Sequence, residues 1–436
     1  MALSNLGRNK GKTVIVIVSL SLAIVLLNSI FTFTNAFDMD KYLANFVSSD
    51  FVIANAKYFN SEYSARKEDL QESNLTESFI EACEEQEGFE KGGRIYAATD
   101  QVGVKISDYK IPKNMPVNEN GELCWMWNGE KIPVTKLNEE NYQTMYYGVD
   151  DFLFEKMEVY EGEKDLDVIK EKLATGNYLL YAVSTDDNGM VRKEDMVHHA
   201  GDKVTLSFPN GEEREVEILS VIKENYYGLS TRYSVIFPYY TTAEVFRKDL
   251  SEDYLMSYSF DVRDDREEAI QQFVKNYSEK TEPTMNYESK LKWSNEFESL
   301  KGMFTIIGCF LTFVVAVIGI LNFINAILTS IVTRLRELAM LESIGMTKKQ
   351  IIKMLTLEGI YYAGFTMISS LLIGMLMSVT ILRVLTSQIW FMKYQFVIWP
   401  MLVTFPFLLV LGWLVPKAAY HFQGKKSMIE QLKNAD

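Results

Sequence analysis

The chain has 436 residues, 48% of them hydrophobic, and a formal net charge of −14. That average hides a segregation: residues 38–298 carry 53 acidic and 29 basic side chains, a net of −24, whereas the rest of the chain carries a net of +10. A single soluble domain rarely divides its charge this way, and a membrane protein with a large acidic domain on the outer side does.

The predicted elements follow in chain order. Residues 1–12 form a basic cytoplasmic start with Arg8, Lys10 and Lys12. Thr13–Thr34 is an uncharged run of 22 residues, about 33 Å as a helix and enough to span a bilayer core. The run is longer than the apolar part of a secretory signal and no clear A-x-A site follows it, so an uncleaved anchor at 13–34 is expected. Residues 35–298 are read as an exterior α+β domain inserted between the first and second membrane helices. Within it, 41–57 suggests a short amphipathic helix (Tyr42, Phe46) leading into a strand at Asp50–Ala56. A helix is expected over 76–87 and a strand over 93–105. The clearest β signal is Asp202–Ile222, where KVTLSF and EVEILSVI alternate on either side of Asn210-Gly211, a strong hairpin turn. Upstream of it, Val159–Gly162 opens a segment that ends in the apolar run Tyr178–Val183; downstream, a strand is read at Met256–Val262 and a helix at Asp265–Tyr277.

A stalk helix is expected from about residue 285. Trp293, Phe297, Leu300 and Phe304 fall on one helical face, which suits either a rigid transmitting rod or an amphipathic stalk packed on the domain. The second span is 303–332, in which Asn322 and Asn325 sit at i, i+3. A cytoplasmic knuckle is read at 333–356, followed by a third span at 357–382, an outer loop at 383–395, a fourth span at 396–416 and a cytoplasmic tail at 417–436. Arg334, Arg336, Lys348, Lys349 and Lys353 place the knuckle inside by the positive-inside rule, while Trp390, Phe391, Tyr394 and Trp399 resemble an interfacial aromatic belt. Gly345 is suited to end one helix in the left-handed conformation, and Thr347 with Gln350 reads as a capping box that starts the next. Such a knuckle suits docking to another protein; it equally suits capping two helices and anchoring charge at the headgroups.

Chemistry-bearing patterns are sparse. There are three histidines and three cysteines, and no H-E-x-x-H, C-x-x-C or G-x-S-x-G occurs. His198 and His199 read as an exposed loop pair with no spaced partners for a metal. Gly7–Thr13 (GRNKGKT) has its glycines one residue too close for a phosphate loop and precedes a span instead of following a strand. Cys83 and Cys124 lie on the outer side, where pairing is open. The acidic surplus would steer cationic ligands toward the domain. No enzyme, no bound metal and no nucleic-acid partner is expected.

Several segments resemble FtsX-like, MacB-type ABC transporter permeases. The start ALSNLGRNKGKTV is similar to a basic opening of the form L-x-N-L-x-R-N-K-x-[KR]-T. RLRELAMLESIGMTKKQIIKMLTLEG resembles a core of the form R-x-x-E-x-x-x-L-x-x-I-G-M-T-x-x-Q-I, GKKSMIEQLKN a closing basic segment, and VYEG with AGDKVTLSFPNGEEREVEILSVI the hairpin region of the exterior domain. The resemblance implies four membrane helices in a 1+3 layout with the exterior domain between helices 1 and 2. It implies a coupling helix at Arg334–Gly345 seated on a cytoplasmic ABC ATPase, with Arg334, Arg336, Glu337, Leu341, Gly345, Met346 and Thr347 at the coupling site. It also implies that ATP and Mg are bound by that partner and not by this chain. A second permease subunit or a homodimer is then needed, in contact with membrane lipid. Many relatives carry two such units in one longer chain, and this sequence is similar to the second. The alternative within the resemblance is a transmembrane regulator of an extracellular cell-wall hydrolase.

Overall fold

The computed structural model describes residues 10–60, 63, 65–72, 75–108, 116–127, 130–186, 188–193, 195–224, 229–231, 238–250 and 255–423. Arg8 and the closing basic segment with Lys425, Lys426 and Lys433 lie outside the described residues. The chain divides into two compact units, residues 1–38 with 298–436, and residues 39–297.

The first unit is built from helices α1 (Lys10–Asn35), α2 (Lys290–Thr333, whose first residues belong to the other unit), α3 (Leu335–Ser343), α4 (Lys348–Met377) and α5 (Trp399–Gln423). Among the described residues, four stretches are long and apolar enough to cross a membrane: Thr13–Asn35, Lys290–Thr333, Lys348–Ser387 and Trp399–His421. The third runs past its expected end. After α4 the helix widens into a π turn at Ser378–Leu382 and continues through Arg383–Ser387, so the first residues of the expected outer loop are helical. Neither Gly nor Pro interrupts 375–399, and nothing in that stretch stops a helix before Ser387.

α4 is the hub. Its Gly359 meets Gly412 of α5 with no side chain between them. A Cβ on Gly359 would overlap the Gly412 carbonyl oxygen, and one on Gly412 would stand 2.6 Å from the Gly359 carbonyl oxygen. Small residues allow such backbone approach, which in lipid replaces the missing hydrophobic drive between helices. Toward α1, the Ser21 hydroxyl donates to the Thr366 carbonyl at 3.2 Å, and the hydroxyls of Thr13 and Tyr362 lie 3.2 Å apart. Val16 and Leu20 of α1, Phe323, Ile327 and Ile331 of α2, Leu338 of α3, and Ile351, Met354 and Leu355 of α4 form one apolar cluster. At the other end of this unit, Phe37 bridges to Met392, and the Lys393 N–H donates to the Ala36 carbonyl at 2.7 Å. The aromatic residues expected there as a belt have specific partners. Phe391 packs on Phe37, Trp399 on Phe31 at 4.9 Å, and Tyr394 shares a hydroxyl contact with Ser378 at 2.9 Å.

The second unit, residues 39–297, is a mixed sheet flanked by short helices. From one edge its strands run Met285–Ser289, Phe51–Asn55, Leu255–Val262, Phe89–Ala98, Met145–Val149, Pro238–Thr242, Tyr178–Val183, Glu213–Lys223, Lys203–Ser207, Gly103–Lys105 and Asn141–Gln143. Two pairings are parallel, Met145–Val149 with Pro238–Thr242 and Tyr178–Val183 with Glu213–Lys223. The strands are aromatic and β-branched, and the core shows it: Tyr146, Tyr147, Tyr239, Tyr240 and Phe260 are fully buried, with Phe246 added from the helix Ala243–Asp249. The Asn210-Gly211 hairpin forms as read, with Gly211 at φ +82° and Ser207 opposite Glu213.

Three expectations are corrected in this unit. Residues 93–105 are two strands, Phe89–Ala98 and Gly103–Lys105, pairing with different neighbours. Residues 285–289 are an edge strand antiparallel to Phe51–Asn55, so the long helix starts at Lys290 and not at 285. Upstream of Trp293 the sequence has no apolar helical face, and its backbone pairs with the sheet instead. His198 is not exposed: only 2% of its surface is accessible, and its Nε2 lies 2.7 Å from the Tyr239 hydroxyl. His199 alone is on the surface, against Glu161 at 3.1 Å. Cys83 and Cys124 are both buried and unpaired.

Candidate functional site

The knuckle between α2 and α4 is built from three local decisions. At Arg334 the backbone leaves the helical region (φ −114°, ψ 13°), ending α2 and starting α3. At the far end of α3, Gly345 takes φ +105°. Its N–H donates to the Glu342 carbonyl at 3.1 Å, and the Met346 N–H donates to the Leu341 carbonyl at 3.0 Å. These two bonds make a Schellman ending, which needs a residue free of the Cβ penalty. Thr347 then opens α4 with a capping box. The Gln350 N–H donates to Thr347 Oγ1 at 3.4 Å and the Thr347 N–H donates to Gln350 Oε1 at 2.8 Å. The two breaks that sequence reasoning assigned to Gly345 and Thr347 are both present.

The side chains expected at the coupling site divide into two groups. Arg334 points inward. Its Nη1 donates to both carboxylate oxygens of Glu358 on α4, at 3.0 and 3.2 Å, and its Nε donates to Glu337 at 3.3 Å. Arg334 is 8% and Glu358 4% exposed, so Arg334 is an internal tie and does not offer its charge to a partner. Leu341 and Met346 are half-buried against the apolar cluster of α1, α2 and α4. Arg336 and Thr347 are exposed. The outward surface of α3 also includes Met340 and Ile344, 57% and 83% exposed, which sequence reasoning passed over because neither is charged. Glu358 was missed as well. Its signal is plain in retrospect, since it is the single charge in residues 354–382, and an acid at such depth is expensive unless paired.

The expected stalk residues fall into separate contacts. Trp293 stacks on Phe46 at 4.5 Å and Phe297 lies 4.7 Å from Tyr42, so both pack on the helix Met39–Phe46 within the sheet-bearing unit. Phe304 belongs to the helical unit and meets Phe33 at 5.6 Å and Phe37 at 5.9 Å. Leu300, between them, is half-buried. Among the described residues no group of three or more His, Cys, Asp or Glu side chains is arranged to hold a metal ion.

Residues 309–425 match the FtsX-like permease C-terminal family. This part of the chain is similar to the C-terminal part of FtsX-like permeases. The matched part begins within α2 and takes in the whole knuckle with α4 and α5. No curated protein matches the chain. Solved structures that overlap it include the following three. The periplasmic region of MacB from Actinobacillus actinomycetemcomitans does so at 8% identity and a TM-score of 0.31, over 58% of this chain and 94% of that one. The extracellular domain of the noncanonic ABC-type transporter YknZ from Gram-positive bacteria follows at 11% identity and 0.28, over 55% and 100%. A domain of a putative permease protein from Porphyromonas gingivalis gives 11% and 0.23, over 56% and 89%. At such TM-scores these overlaps do not bear on the fold, and the likeness to the family rests on residues 309–425.

Proposed function

We propose that this chain is the permease subunit of a bacterial ABC transporter, embedded in the plasma membrane with residues 39–297 outside. ATP and Mg are bound by a separate cytoplasmic ATPase, and the chain passes the motion of that ATPase outward by MacB-type mechanotransmission. The observation that carries this reading is the form of the knuckle. α3 is a short helix fixed at both ends by backbone breaks and held from behind by packing, and it presents Arg336, Met340 and Ile344 outward. Met340 and Ile344 lie next to Arg336 on this surface, and a partner seated there would recover the free energy their exposure costs. α2 is unbroken from Lys290 to Thr333 and holds no proline, so a displacement at its inner end is carried along about 66 Å of helix. The complex is completed by a second permease subunit or a second copy of the chain. The substrates are peptides, antimicrobials, lipoproteins or other amphiphiles, for which the acidic outer unit favours cationic members.

Affinity co-purification of the tagged chain from native membranes, with mass spectrometry, tests this. A soluble ATPase is expected with the unaltered chain. Ile344→Asp, which places a charge on the outward apolar surface at a side chain 83% exposed, is expected to reduce its recovery by at least about tenfold, as central interface residues do. No ATPase with the unaltered chain, or an extracellular hydrolase in its place, would overturn the reading. Glu337→Lys is expected to reduce recovery too, by setting a cation against Arg334 and displacing α3.

A further inference from the structure

We infer that Glu358 is a positioning residue for the coupling helix, acting through Arg334; the inference rests on the reading of α3 as the coupling element. Arg334 is the residue at which the chain turns from α2 into α3, and its backbone is outside the helical region. The same residue sends its side chain into the protein. One guanidinium nitrogen is shared by both Glu358 oxygens and another reaches Glu337, one turn into α3. A single side chain therefore ties three elements together at the turn: the end of α2, the start of α3 and the body of α4. Glu358 lies eleven residues into α4, about 15 Å from its start, well past the exposed cap at Thr347. The apolar cluster that includes Ile331, Leu338, Met354 and Leu355 packs α3 with α2 and α4, but such contacts are non-directional. They would permit α3 to slide or roll. A buried, charge-assisted pair is directional and leaves an uncompensated charge when either member is removed. The geometry thus assigns to Glu358 the task of fixing where α3 stands, so that a push on α3 is delivered into α4 and α2 instead of being lost in local sliding.

The test is a double-mutant cycle on the full chain in lipid nanodiscs, read by hydrogen–deuterium exchange. Glu358→Gln is expected to speed exchange of the amides of residues 335–346 by about tenfold, as loss of one buried charged partner does. The hairpin amides of residues 203–223 serve as the folding control and should not change. In the Arg334→Gln background the same substitution should add little, because the interaction is already gone. Unchanged exchange in 335–346, or strictly additive effects, overturns the inference. If Glu358→Gln fails to insert, Glu358→Asp, which keeps the charge but shortens the reach, replaces it with the same expected direction. A second readout separates positioning from mere stability. With the co-purified ATPase present, ATP is expected to alter exchange in α4 of the unaltered chain. Glu358→Gln should abolish that response while the ATPase still co-purifies, and a response that persists overturns the inference. If no ATPase accompanies the unaltered chain, the proposed function fails, and the exchange cycle still decides whether Glu358 positions α3.

Discussion

Single residues define the knuckle, and they do so by different physics. Gly345 has open space around its missing Cβ, with nothing within 4 Å, so a side chain there meets no obstacle. Its cost comes entirely from φ. Gly345→Val is expected to destabilise the turn by about 1–2 kcal/mol, the penalty of a left-handed L-residue, visible as faster amide exchange at residues 341–348 with insertion unchanged. Alanine should show a smaller effect of the same sign. Arg334 is the opposite case. Its charge, next to other cations in a loop, gave the sequence reading no way to tell an exposed guanidinium from a buried one, since burial depends on an acid 24 positions away on another helix. Gly345 and Thr347 were legible because caps are local, set by neighbours within four residues.

At the scale of elements, the apolar helices were legible from length and charge alone, while their ends and mutual contacts were not. The third helix overran its expected end through a π turn, for which five uncharged residues give no warning. The strand at Met285–Ser289 lies where the sequence pattern predicts helix, because its pairing with Phe51–Asn55 is non-local. The α4–α5 contact was equally hidden: Gly359 and Gly412 are two glycines among 24, and only the structure shows them back to back. Gly359→Ala is expected to force these helices apart, since the new methyl would overlap a backbone carbonyl that no rotamer change can move. Overpacking of this kind costs about 1–3 kcal/mol. The prediction is checked by a lowered thermal midpoint of the detergent-solubilised chain, with Gly364→Ala, where there is nothing within 4 Å, as the neutral comparison.

At the scale of the whole molecule, the two units differ in composition: the helical unit holds the long apolar stretches and the sheet-bearing unit the acidic surplus. The sheet-bearing unit also holds a buried histidine. Burial pushes the His198 imidazole from its ordinary 6.5 down to about 4, so the folded unit keeps it neutral, bonded to Tyr239, where the unfolded chain would take up a proton. Stability from this residue is fully present above about pH 6.5 and is lost as the pH falls toward 4, by up to about 3 kcal/mol. A pH series of thermal melts on the full chain should show this, and His198→Gln should flatten the slope over that window relative to the unaltered protein. A slope unchanged by the substitution would mean that carboxylates alone govern acid lability.

The state of the cysteines has a practical corollary for the same unit. Cys83 sits in the core with its thiol pushed up to about 12, by burial first and by the neighbouring Glu84 second, and Cys124 is buried too. A thiol that does not ionise is a poor nucleophile toward oxidants and disulfides. Cys83 is therefore a poor partner for thiol exchange. With both cysteines buried and unpaired, packing and sheet hydrogen bonds hold this unit together without a cross-link between them.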